Sequence, residues 1–92
     1  MTLADALRHY VACARGADAG FLGWQYVSAA ALLVVEAELA AGVGRFYSFY
    51  NRRDYDRLAD LARTGALLRI ADDVEALTAQ AAYNARGYRA IP

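Results

Sequence analysis

The chain of 92 residues contains no lysine, and all ten of its basic residues are arginine. It has one cysteine, which excludes an internal disulfide and fits a reducing compartment. Its single proline is the last residue, so no proline breaks a helix upstream of it. β-Branched residues are scarce, with six valines, two isoleucines and three threonines, and this leaves little material for a sheet. The formal net charge is zero, so there is no global attraction to nucleic acid or to anionic membranes. There is no glycine-rich phosphate loop, no cysteine-pair zinc motif, no nucleophile elbow and no Glu-x-x-His pair of the di-iron type. The opening "MTLADALRHY" carries an aspartate where a secretion signal needs basic residues, and no apolar run follows it. A cytoplasmic location is expected. Arginine without lysine, together with abundant Ala, Gly, Leu and Asp, implies a GC-rich coding sequence such as bacteria and phages carry.

What is present in excess is apolar. Such residues make up 59% of the chain, against roughly 45–50% in ordinary domains. A chain this short hides only roughly 60–65% of its unfolded surface. Surplus apolar side chains on one small domain therefore predict an oligomer or a standing partner.

The pattern predicts an all-α fold, a small three- or four-helix bundle in a single domain. A first helix over residues 3–15 begins at Thr2 as N-cap, with Asp5 three residues on, and carries one apolar stripe of Leu3, Leu7, Tyr10 and Ala14. Gly16 and Asp18 mark the turn after it. A long apolar stretch, 19–50, is expected as the central helix, with Phe21, Leu32, Val35 and Leu39 on one side and Gly42 and Gly44 as possible breaks. Unbroken, it would be nearly 50 Å long at ~1.5 Å per residue, too long for a compact chain of this size. A third helix over 55–63 buries Tyr55, Leu58, Leu61 and Ala62. A fourth over 66–85 has Leu67, Ile70, Ala71, Val74, Leu77, Thr78 and Ala81 on one face. As one straight helix, these last two stripes would fall on opposite sides, so a break is placed at Thr64–Gly65. The tail 86–92 is expected to fray.

The stretch "RFYSFYNRRDY", 45–55, concentrates five aromatic rings and three arginines. Nucleic-acid binding through 45–69 is one reading, since six arginines face three aspartates there. Asp54, Asp56 and Asp60, however, alternate with Arg52, Arg53, Arg57 and Arg63 at helical pairing distances, and a helix-turn-helix reading would present Asp72 and Asp73 to DNA. A membrane span over 21–44 fails on Glu36 and Glu38. Two mid-span acids cost roughly 5 kcal/mol, and the Leu, Val and Phe side chains return about 3–5 kcal/mol. The remaining reading divides the rings between core and a protein-facing surface, built from Trp24, Phe46, Tyr47, Phe49, Tyr50, Arg52, Arg53 and Tyr55. Tyr, Phe and Arg are the residue types enriched in such contacts.

Two further constellations carry chemistry in principle. Asp5, His9 and Cys13 follow one another at four-residue spacing, which suits a metal or a nucleophile–base pair. The bland alternative pairs Asp5 with His9 at the surface and packs Cys13 at the core edge. Glu36 and Glu38 point about 200° apart, so they cannot share a proton or a metal within one chain. In the acidic run Asp72, Asp73 and Glu75, Arg69 lies three and four residues before the aspartates. The expectation is a non-enzymatic interaction protein that binds another protein, most simply as a homodimer, with no cofactor and no metal. A helical ligand- or metal-binding protein, using an apolar pocket or His9 and Cys13, is the alternative, and nucleic-acid binding through 45–69 is the lesser one.

Overall fold

The computed structural model describes residues 1–42 and 52–90, with side chains for 1–42 and 57–85. Among the described residues there are four α-helices and no strand: α1 (Leu3–Asp18), α2 (Trp24–Ala41), α3 (Arg52–Thr64) and α4 (Ala66–Ala90).

α1 starts as its sequence dictates. The Thr2 hydroxyl accepts the Asp5 N–H at 3.1 Å, and the Asp5 carboxylate accepts the Thr2 N–H at 3.4 Å, which closes a reciprocal capping box. The stripe of Leu3, Leu7, Tyr10 and Ala14 is buried, joined by Ala6, Val11 and Ala17. Gly16 does not end the helix. α1 runs on to Asp18 and stops where the Phe21 and Gly20 N–H groups donate back to the Gly16 and Ala17 carbonyls, at 2.9 and 3.1 Å. Leu22 then folds over Gly16, its Cβ 3.5 Å from where a side chain there would begin.

The expected long helix 19–50 is not one helix. Residues 19–23 form the turn out of α1, and α2 ends at Gly42, whose φ of 73° is left-handed backbone that a Cβ makes costly. The centre of the bundle is also α1 rather than this stretch. α2, α3 and α4 each pack on α1, α3 also packs on α4, and α2 has no other helix for a backbone neighbour among the described residues.

α3 and α4 part at Gly65 (φ 81°), as the opposed stripes require. The Thr64 hydroxyl donates to the Leu61 carbonyl at 3.3 Å and closes the last turn of α3. Leu58, Ala62, Leu67 and Ala71 enter the core. The buried face of α4 ends at Val74, and Leu77, Thr78 and Ala81, expected to be buried, are exposed. From Glu75 to Ala85 the residues of α4 are exposed, and it continues as helix to Ala90 instead of fraying after residue 85. The radius of gyration of 15.1 Å and extents of 56 × 23 × 19 Å record this projection, since a compact chain of this length would have a radius of about 12 Å.

Candidate functional site

α2 differs most from its expected orientation. At about 100° per residue, Val27, Ala30, Ala31, Val34, Val35 and Glu38 share the buried side, which holds alanines and valines but no leucine and no ring. Phe21 in the preceding turn is 89% exposed and Leu39 is 64% exposed, and Leu32 is exposed with them. Of the side marked by Phe21, Leu32, Val35 and Leu39, only Val35 is buried. α1 buries the larger side chains Leu7 and Tyr10, and the alanines and valines of α2, each smaller than leucine, are the fitting complement. The leucines turn outward as a result. Tyr26, Leu33, Leu32 and Leu39 spread over an arc of about 140° on the solvent side, with Ala29, Glu36 and Ala40 between them. Glu36 is exposed and Glu38 is fully buried, as their angular separation requires.

Beside this face lies a groove of about 830 Å³, bounded by the start of α1, the last turns of α2 and the middle of α4. Ala4, Ala37, Ala40 and Ala41 line it with small side chains, and Leu3 and Leu77 add larger apolar ones. The side chain of Leu77 is 70% exposed.

Two arginines hold this framework from outside, and neither pairing follows from local spacing. Arg8 on α1 donates to Asp72 at 2.9 Å and to Glu75, both on α4, and the two carboxylates raise its pKa further. Arg69, the neighbour expected to serve the acidic run, makes no ion pair among the described residues. Arg63 on α3 forks onto Asp18 at the end of α1, at 2.9 and 3.2 Å, and reaches Asp60 at 3.4 Å. Its guanidinium carbon also sits 5.7 Å from the centre of the Trp24 ring at the start of α2. The Asp18 carboxyl is held below its ordinary range by the hydrogen bonds from Arg63. Three helix ends are thus joined at one point.

Of the residues expected to form a protein-facing surface, Trp24 is placed, 45% exposed and stacked by Arg63. Phe46, Tyr47, Phe49 and Tyr50 lie outside the described residues, as do the side chains of Arg52, Arg53 and Tyr55. The outward leucines of α2 were missed in that list, although a helix apolar all round already signals that one face has no intramolecular use.

At the His9–Cys13 pair, Nε2 lies 3.7 Å from Sγ, with the histidine exposed and the thiol buried. Asp5 does not join them, because its carboxylate is committed to the capping box, whose hydrogen bonds from Thr2 lower its pKa. Among the described residues no group of three or more His, Cys, Asp or Glu side chains is placed to hold a metal ion. No helix among them is long and apolar enough to cross a membrane. Comparison with known protein families, with curated proteins and with solved structures yields no match in any of the three.

Proposed function

We propose that this chain is a small non-enzymatic interaction module of the cytoplasm, acting by helix-mediated binding to another protein in the manner of an adaptor, regulatory subunit or inhibitor. The observation that carries this reading is the outer face of α2, where Tyr26, Leu32, Leu33 and Leu39 are exposed while the small residues of the same helix are buried. Leaving leucines in water while valines and alanines fill the core forgoes hydrophobic stabilisation, and binding a partner recovers it. A second copy of the chain is the simplest partner, and the aromatic–arginine stretch 45–55 is a further candidate for contact with it. The test is light scattering after size exclusion, with the 260/280 nm absorbance ratio of the same peak, on the wild type and on Leu32→Asp with Leu39→Asp. The wild type is expected to elute as an assembly free of nucleic acid, and the double variant to keep its helical circular dichroism while losing that assembly. A double variant that retains the wild-type mass would place the interface elsewhere. The groove supports a second reading, a helical ligand-binding protein, because its volume falls in the ~300–1,000 Å³ range of small-molecule sites.

A further inference from the structure

We propose that the groove between α1, α2 and α4 is filled by Tyr26 of a second copy, in a two-fold, antiparallel contact of α2 on α2 centred at Leu33. The pairing deepens the interaction-module reading and presupposes that the outer side of α2 binds protein.

The seam is visible in the spacing. Tyr26, Ala29, Leu33, Ala37 and Ala40 fall within about 80° of one another round α2. The steps between them are three, four, four and three residues, as a helix–helix seam requires. That series reads the same in both directions about Leu33, so a two-fold axis through Leu33 maps the seam onto itself, the condition for an isologous contact. Reversal also matches sizes. Tyr26 of one copy meets Ala40 of the other, Ala29 meets Ala37, and Leu33 meets Leu33. Tyr26 is 54% exposed and so is available, and Ala40 is the residue at which the seam runs into the groove. The ring therefore arrives at a space whose lining includes Ala4, Ala37, Ala40, Ala41 and Leu77, with Arg8 and Glu75 also in it. A parallel arrangement would set Tyr26 against Tyr26 and alanine against alanine, leaving both grooves empty. Antiparallel helices also oppose their dipoles favourably.

The apolar surface on offer reaches the lower bound of stable interfaces only with the flank included. Tyr26, Leu33 and Leu77 lie along the seam and the groove, Leu32 and Leu39 beyond Glu36 on the flank, and the five together expose roughly 600 Å² per copy, against about 1,200 Å² in total for a stable contact. Glu36 is exposed and lies between the seam and the flank leucines Leu32 and Leu39.

The experiment uses the full chain with Cys13→Ala, which removes the only native thiol. Leu33→Cys in that background is treated with a short bismaleimide, and Leu39→Cys on the flank and Ala12→Cys on the outer side of α1 are treated in parallel. Light scattering is expected to give a dimer, and Leu33→Cys is expected to cross-link at least tenfold more completely than Ala12→Cys and ahead of Leu39→Cys. Tyr26→Ala, a surface change that leaves the fold intact, is expected to raise the dimer dissociation constant tenfold or more. Adding Ala40→Tyr to the same chain is expected to restore it to within about threefold, because the two-fold axis exchanges the two positions. A dimer that cross-links best through Leu39→Cys, or one indifferent to Tyr26→Ala, overturns this seam while leaving the interaction module standing. A wild-type monomer at high concentration overturns self-pairing altogether. If that monomer takes up an apolar fluorophore such as anilinonaphthalene sulfonate in the groove, with loss of uptake in Ala40→Tyr, the ligand reading replaces both.

Discussion

α1 and α2 are neighbours of similar length, 16 and 18 residues, and both are rich in alanine and in larger apolar side chains. One of them declares its orientation and the other does not. In α1, Asp5, Arg8, His9 and Arg15 lie on one side, and the opposite stripe of Leu3, Leu7, Tyr10 and Ala14 is buried. In α2 the only polar residues are Gln25, Ser28, Glu36 and Glu38, and one of those four, Glu38, is fully buried. With so little polar marking, the choice of inner face passes to shape. The face that packs is the one whose small residues complement the large ones of α1, and the leucines are left outside. A helix orients by its polar residues where it has them and by its volumes where it does not.

The comparison can be broken at its strong end first. Leu7 is fully buried in the helix on which the other three pack, so Leu7→Ala is expected to cost about 2–5 kcal/mol in denaturant unfolding. Leu39→Ala, measured at a concentration too low for assembly, is expected to change stability by no more than about 0.5 kcal/mol, because that leucine faces water. Equal losses from the two changes would mean that α2 buries the leucine side. The second test asks whether size selects the inner face of α2. Ala31 is fully buried against α1, and Ala31→Leu is expected to cost about 1–3 kcal/mol through overpacking, although leucine is the better match in hydrophobicity. A stabilised Ala31→Leu variant would show that the contact has room to spare.

The smallest expected effect concerns the helix ends. Asp18 has its pKa lowered from 3.8 by Arg63, so the folded chain keeps this carboxylate charged at a pH where the unfolded chain has begun to protonate it. The contribution is complete above the ordinary carboxylate range and is lost as the pH falls through the lowered folded value. Arg63→Gln is therefore expected to flatten the fall in Tm as the pH drops through and below the ordinary carboxylate range. The effect is slight, because both partners are more than a third exposed and water and salt screen the pair. An identical pH profile in the variant would show that the Arg63–Asp18 pair adds nothing to stability.

The contrast between α1 and α2 extends to the candidate site. The capping box, the stripe of α1 and the break at Gly65 rest on interactions between residues a few positions apart, and each was legible in the string. The pairs Arg8–Asp72, Arg8–Glu75 and Arg63–Asp18 join residues 45 to 67 positions apart. No spacing rule reaches that far, and the nearer candidates, Arg69 for the acidic run and Asp5 for His9, were engaged elsewhere or left in water. The groove was invisible for the same reason, since it exists only where the start of α1, the end of α2 and the middle of α4 come together.

By itself, the sequence determined that this chain is helical almost throughout, where α1 begins, where α3 gives way to α4, and that it carries more apolar surface than so small a domain can hide. Each of these follows from backbone propensity, from local hydrogen bonding or from simple proportion of surface to volume. Only the tertiary structure decided which helix lies at the centre, which face of α2 turns inward, and how far α4 stays covered. Those outcomes depend on how the volumes of different helices fit together, and a single helix read alone carries no record of the surface it will meet.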